Sequence, residues 1–423
     1  MNPDHSLRSL PGEPPSTIRL SEEAGRCVAC GLCVPHCPTY RKTLNEADSP
    51  RGRIFMMAAL LEQRLPLSPE VLHHLDLCLT CRACENACPS QVRYGWLADN
   101  MRAWIEPQRQ RPAGQQRLRR LLFDTLRRPS RLRSAAWLLR AYQASGLQQL
   151  ARKSGTLAAL GLERAEAQLP ALPKNRPLHG MHAAPGTPRG TVGLFLGCVD
   201  QLTDASTLGA AIFILNRLGY SVDVPHAQTC CGALHQHNGA TGTARELADD
   251  NRRAFGSPAL EAILHAASGC GATLAEQEPS LPAPLLDISS FLGQVQGWEQ
   301  AQIAPLQQTI AVHEPCSSRN VLHDQNAAYQ LLQRIPGARI MPLHGNDQCC
   351  GAAGSYALAQ PEMADLLLRD KIEAIKVSGA RIIATSNPGC AMHLATGLRA
   401  EGIAIEVLHP AYLVARQMGY EHA

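Results

Sequence analysis

The chain has 423 residues, room for two or three domains. Of these residues 45% are hydrophobic but only 4% aromatic, so the cores rest on Leu, Ala, Ile and Val. Forty basic and 36 acidic residues leave a net charge of +4, and no nucleic-acid partner is expected from this near balance. Sixteen cysteines exceed what packing needs, yet a chain this long, with no apolar stretch resembling a signal peptide near its start, does not read as a disulfide scaffold. Nor does any run approach the roughly 18–20 apolar residues of a membrane-spanning helix. The expectation is metal or cluster ligation in a reducing compartment, by a cytoplasmic protein or one peripheral to the inner membrane.

In chain order, the first feature is "CVACGLCVPHCP" (27–38), four cysteines with gaps of two, two and three residues. "CLTCRACENACP" (78–89) repeats those gaps. Zinc sites tend to use two ligand pairs separated by a loop, whereas a single run ending in Cys-Pro is the bacterial ferredoxin pattern. In that pattern three cysteines hold one cubane and the fourth reaches the other. Cys27, Cys30, Cys33 and Cys88 are therefore expected to hold one [4Fe–4S] cluster, and Cys78, Cys81, Cys84 and Cys37 a second. Between the runs, residues 50–65 read as a helix with Ile54, Met57, Ala58 and Leu61 on one face, and residues 69–78 as another. These point to a helical two-cluster domain over residues 1–105. Arg51, Arg53, Arg82 and Arg93 could offset the charge of anionic clusters, or lie in solvent.

Residues 106–190 read as a basic helical connector and linker. Residues 109–153 hold twelve Arg or Lys and one acid, Asp124, so this segment is about +11 and the rest of the chain about −7. In "RLRRLLFDTLRR" (117–128), Leu118, Leu121, Leu122 and Leu126 form one stripe. Packing on a neighbouring domain is the expectation, and an anionic membrane surface the alternative. Residues 169–190, rich in Pro and Gly, read as an ordered linker.

The remaining eight cysteines form a hidden duplication. Cys198, Cys230, Cys231 and Cys270 recur as Cys316, Cys349, Cys350 and Cys390, at offsets of 118, 119, 119 and 120. "GYSVDVPHAQTCCGA" (219–233) matches "GARIMPLHGNDQCCGA" (337–352), and "TVGLFLGC" (191–198) matches "TIAVHEPC" (309–316). Strands alternating with helices imply a parallel α/β repeat over 191–305 and again over 306–423, with cysteines just past the C-terminal ends of strands, where ligands collect in open α/β sheets. The fold class is thus α+β multidomain: a helical ferredoxin-like domain followed by a duplicated α/β Cys-Cys-Gly domain. Gly232 and Gly351 permit positive φ beside each cysteine pair. Each quartet could hold a further cluster, or the two could meet at one pseudo-twofold interface. Zinc, or thiols that merely pack, are the other uses. His313 precedes Cys316 by three residues, its counterpart is Phe195, and it reads more readily as structural than as a ligand.

No GxGxxG, P-loop, Ser–His–acid or paired-carboxylate pattern is present, so no catalytic residue is expected on this chain. A wire for electrons supplied by a flavin-bearing partner fits better. The order of two ferredoxin runs, "SPRGRIF" between them, "CLTCRACENACPSQVRY" closing the second, and two Cys-Cys-Gly repeats resembles the iron–sulfur subunits of bacterial glycolate oxidase (glycolate dehydrogenase). The resemblance implies flavin-containing dehydrogenase partners that carry the FAD, oxidation of glycolate to glyoxylate, and delivery of electrons toward the membrane quinone. It also implies the eight first-half cysteines as ligands of two [4Fe–4S] clusters. The same broad clan includes subunits serving D-lactate, glycerol 3-phosphate and heterodisulfide reduction. Thr273 and His393 stand where the heterodisulfide reductase pattern has a further cysteine, which favours relay over disulfide cleavage. A zinc-binding interaction module without redox turnover is the alternative from another class.

Overall fold

The computed structural model describes residues 16–172, 178–256 and 259–421. The chain's opening and the centre of the Pro- and Gly-rich linker lie outside these.

The helical region begins with Thr17–Gly25 and continues through Pro38–Thr43, Pro50–Leu61, Pro69–Asp76, Ala83–Asn86 and Tyr94–Ile105. Two starts are written as Ser-Pro: the Ser49 and Ser68 hydroxyls accept the Gly52 and Val71 amide hydrogens at 3.0 and 3.3 Å, and proline fills the first turn where no donor is needed. Ile54, Met57 and Leu60 then point inward with Leu20, Leu75, Leu97 and Met101. The core is small, and several of its members are cysteines.

The connector is five helices: Ala113–Arg127, Pro129–Ala144, Leu147–Lys153, Thr156–Ala159 and Glu163–Ala167. Leu126 packs beside the first α/β repeat, as the stripe was expected to do. Leu118, Leu121 and Leu122 do not: they are exposed. Arg119 and Phe123, rather than these leucines, face the body of the protein, because Arg119 donates to the Asn238 carbonyl and Phe123 packs on His235.

Two sheets follow. The first contains β1 (Gly180–His182), β2 (Gly190–Phe195), β3 (Tyr220–Val224), β4 (Ile263–His265) and β5 (Leu285–Asp287), in the order β1-β3-β2-β4-β5. The second contains β6 (Thr309–Val312), β7 (Arg339–Pro342), β8 (Ile382–Ala384) and β9 (Glu406–Leu408), ordered β7-β6-β8-β9. All pairings are parallel except that of β1, an edge strand antiparallel to β3 within the stretch read as linker. Residues 192–195 of β2 are buried on both faces, as parallel sheets covered by helices require. In each sheet the chain reverses its direction of travel, between β2 and β4 in the first and between β6 and β8 in the second, a switch point that opens a crevice at the strands' C-terminal ends.

The repeats exchange helices. Ala205–Arg217 of the first packs on Pro410–Gln417 of the second, and reciprocally Ile288–Gln294 packs on Ala327–Leu332. One apolar core, with Leu208, Ile214, Leu292, Leu331, Leu413 and Val414, therefore spans both repeats. Ser268 closes the seam: its amide donates to the Ser386 carbonyl at 2.9 Å and its hydroxyl accepts from Ser317 at 2.8 Å.

Truncating Leu413→Ala in that shared core should cost about 2–5 kcal/mol. Chemical denaturation followed by circular dichroism should show the two repeats losing structure in a single shifted transition; separate transitions would contradict a shared core.

Candidate metal centres

The two cysteine runs fold alike. Ala29 and Gly31 in the first, and Thr80 and Arg82 in the second, all have φ between +53° and +82°. A non-glycine residue held there carries strain of order 1–3 kcal/mol. Each loop is thereby coiled so that its first three thiols converge. Surrounding groups hold the coil: Arg51 donates to the Ala29 carbonyl at 3.2 Å, and Arg102 donates to the Cys78 carbonyl and the Thr80 hydroxyl, each at 2.7 Å.

The fourth thiols cross over. One hollow is lined by Cys27, Cys30, Cys33 and Cys88, with Cys84 at its wall. The neighbouring hollow is lined by Cys78, Cys81, Cys84 and Cys37. Donors point at the sulfurs: the Thr80 amide at 3.4 Å and the Tyr94 hydroxyl at 3.6 Å from Cys78, and the Val92 amide at 3.5 Å from Cys88. Burial, then the thiols Cys81, Cys78 and Cys37, push Cys84 well above the usual thiol range, and Cys33 is pushed up to about 11, chiefly by burial. Four crowded thiols of this kind ionise together only if a cation shares the site, so the donor set fits a metal cluster and fits poorly as idle packing.

Of the four arginines considered from sequence, one touches a sulfur. Arg53 is 1% exposed, with Nη1 3.8 Å from Cys37 Sγ, Nη2 donating to Thr39 at 3.0 Å and Nε to the His74 carbonyl at 2.7 Å. Asp48 lies 3.7 Å away. Arg51 pairs with Glu46, Arg82 bridges Glu85 and Glu276, and Arg93 pairs with Glu23; their charges are spent on carboxylates.

In the α/β repeats each quartet assembles within its own sheet, at the C-terminal ends of the strands. Cys198 and Cys230 have sulfurs 3.2 Å apart, and Cys231 lies in hydrogen-bonding contact with Cys270. In the second repeat Cys350 and Cys390 are 3.2 Å apart, and Cys316 contacts Cys349. Gly232 (φ +87°) and Gly351 (φ +93°) turn the chain so that their amides face Cys230 and Cys349 at 3.5 Å. A Cβ on Gly351 would lie 2.7 Å from the Ala364 carbonyl oxygen, so no other residue fits without a shift.

The repeats differ in what surrounds the thiols. His313, Cys350 and Cys390 bring their ligand atoms within 4.8 Å of one another, all buried, while His313 Nδ1 lies 3.0 Å from the Thr385 hydroxyl. The Lys371 ammonium is buried nearby and donates to the Gly345 carbonyl at 2.6 Å; burial lowers its affinity for the proton while Cys350, Cys349 and Cys390 oppose that. Among the described residues the first quartet has no such lysine; it sits among Phe195, Leu247, Phe255 and the connector's Leu132, and the buried His235 interacts with Cys230 and lowers that thiol's affinity for the proton. It has instead a buried acid that the sequence did not single out: Asp200, close to Cys198 and Cys270, is held well above the carboxylate range by burial and then by Asp204. An acid two residues beyond a cysteine leaves no recognisable pattern. The second quartet adjoins the helical region: Cys316, Cys349 and Cys81 share one cluster with Leu77 and Leu79, and Asn320 donates to the Cys81 carbonyl at 2.7 Å.

Comparison with known proteins agrees with this geometry. Residues 23–92 match the 4Fe-4S dicluster domain, residues 192–275 and 310–395 each match the cysteine-rich domain, and residues 114–169 match the linker region of the glycolate oxidase iron-sulfur subunit. A probable glycolate oxidase iron-sulfur subunit from Bacillus subtilis is 35% identical, over 95% of this chain and 96% of its own length. The chain belongs to the glycolate oxidase iron–sulfur subunit family. The Escherichia coli glycolate oxidase iron-sulfur subunit is 32% identical over 88% of this chain and 90% of its own. A fumarate reductase (CoM/CoB) component from Methanothermobacter marburgensis is 24% identical over 94% of this chain and 74% of its own. As a family member the chain is an iron–sulfur protein whose first region is a two-cluster domain, and among its described residues no helix is long and apolar enough to cross a membrane.

Arg53→Met should cost about 1–3 kcal/mol, because it strips the buried Thr39 hydroxyl and the His74 carbonyl of a donor and leaves Asp48 with His74 as its remaining partner. Thermal unfolding followed under anaerobic conditions checks this; an unchanged midpoint would remove Arg53 from the account.

Proposed function

We propose that this chain is the electron-carrying subunit of a flavin-dependent complex that oxidises glycolate to glyoxylate, and that it performs no substrate chemistry itself. Cys27, Cys30, Cys33 and Cys88 would hold one [4Fe–4S] cluster, and Cys78, Cys81, Cys84 and Cys37 the other. A cluster of this type, when bound, takes up and releases single electrons. What carries the reading is the pair of adjoining hollows completed by crossed fourth cysteines, with Cys84 lining both. Two sites that share a wall favour transfer between them.

The residues divide the remaining work. The coiled loops fix the thiols, the amides of Thr80 and Val92 and the hydroxyl of Tyr94 give hydrogen bonds that favour the more negative sulfurs of a reduced site, and Arg53 places a fixed positive charge beside Cys37. Cys30 is exposed, which suits entry from a partner, whereas Cys81 is turned toward the second α/β quartet. Flavin-containing dehydrogenase subunits would carry the FAD and choose the substrate. The match to the glycolate oxidase linker over 114–169 favours glycolate over D-lactate or glycerol 3-phosphate, and the membrane quinone is the acceptor we propose. In the α/β repeats the thiol quartets suit further clusters. For the second, the His313, Cys350 and Cys390 donor set also supports zinc, whose structural sites mix imidazole and thiolate.

Anaerobically purified protein should carry about eight iron atoms in the helical region, and Cys30→Ser should lose about half of them along with the spin coupling between two reduced clusters. Iron analysis with electron paramagnetic resonance checks this; full iron and unaltered coupling would exclude Cys30 as a ligand. If the second quartet is the neighbour in the relay, Cys349→Ser should alter the relaxation of the Cys81-side signal and Cys231→Ser should leave it unchanged. Equal effects would remove that ordering.

A further inference from the structure

The connector turns part of its apolar surface away from the protein. On Ala113–Arg127, Arg119, Phe123 and Leu126 are spaced i, i+4, i+7 and face the first repeat. Leu118, Leu121 and Leu122, spaced i, i+3, i+4, occupy the neighbouring arc, about a third of a turn round the helix, and are 56, 59 and 53% exposed. Pro129–Ala144 repeats the arrangement: Leu132 and Ala136 are buried, while Trp137 and Leu138 are 67 and 60% exposed. Among the described residues, nine of the seventeen large exposed apolar side chains fall within residues 118–162, so exposure is concentrated here rather than scattered. An amphipathic helix in a soluble protein puts its apolar arc on the core; these two helices bury Leu126, Leu132 and Ala136 there and leave a second apolar arc uncovered.

Charge selects what covers the face. The segment 109–153 carries twelve cations and one acid, and seven of the twelve pair with carboxylates, most of them outside the segment. Arg117 and Arg120, exposed beside the leucines, and Lys153 further along have no acidic partner among the described residues. Leucines with an indole between flanking arginines match the boundary of an anionic bilayer, where apolar tips enter the acyl edge, tryptophan sits at the headgroups and arginine heads meet lipid phosphates. We propose that the outward face of Ala113–Arg127 and Pro129–Ala144 docks on an anionic lipid surface, through Leu118, Leu121, Leu122, Trp137 and Leu138 together with Arg117 and Arg120. This does not rest on the electron-carrier reading, since binding is measured without turnover. A flavoprotein partner is the competing occupant.

The test is co-sedimentation of the intact anaerobic protein with vesicles of mixed phosphatidylglycerol and phosphatidylcholine, against phosphatidylcholine alone. The expected result is binding to the anionic vesicles, loss of binding at high salt, and a blue shift of tryptophan emission that disappears in Trp137→Phe. The exposed double variant Leu118→Gln/Leu122→Gln, with far-ultraviolet circular dichroism unchanged, should bind about tenfold more weakly. No binding to either vesicle, equal binding to both, or binding indifferent to the Leu118/Leu122 change would overturn the proposal and leave the face to a protein partner.

Discussion

Thiols resist being gathered in one buried place. Each loses water, and each raises the cost of ionising the next; Cys81 and Cys84 are both held well above the usual thiol range by burial first and by neighbouring thiols after it. This chain nonetheless collects sixteen cysteines into four groups, and for the first eight the two-cluster domain supplies the metal that balances them. The helical region is organised around that requirement. Left-handed residues at Ala29, Thr80 and Arg82 accept strain to aim sulfurs inward, and Arg53 is buried at the edge of the second hollow, where an unpaired guanidinium would be prohibitive without Asp48 and the thiols. The small apolar core around Leu20, Leu97 and Met101 acts as a frame for these sites.

The α/β half meets the same requirement differently. Its thiols stand on loops at the ends of parallel strands, so a large shared core holds them and the left-handed turns beside the paired cysteines fall on Gly232 and Gly351. Duplication fixed the architecture but not the chemistry. Phe195 and His313 occupy equivalent places at the ends of β2 and β6, so the imidazoles near the thiols come from different positions: His313 beside Cys350 and Cys390, and His235 beside Cys230. The thiols of the second repeat are the ones that share an apolar cluster with Cys81, so the two quartets have unequal access to the helical region.

Much of this could be read from residue order. The spacing of the first eight cysteines foretold two groups with exchanged fourth members, and the hollows bring the same residues together. The period near 119 residues foretold two parallel α/β units. What was not legible depends on facing. A stripe of leucines does not say which side of a helix meets the protein, and Leu118, Leu121 and Leu122 turned outward because Arg119 and Phe123 found partners on Asn238 and His235. The arginines near the clusters looked equivalent until Glu46, Glu85, Glu276 and Glu23 engaged all but Arg53. Strand β1 was hidden in a linker because three residues pairing with a distant edge show no period.

The crossed arrangement of the fourth cysteines is the central claim, and paired substitutions read by electron paramagnetic resonance of the reduced, intact chain test it most directly. Cys88→Ser should extinguish the same signal as Cys27→Ser and spare the one lost in Cys78→Ser. If Cys88→Ser instead reproduces Cys84→Ser, each run serves itself, and the interleaved architecture is wrong.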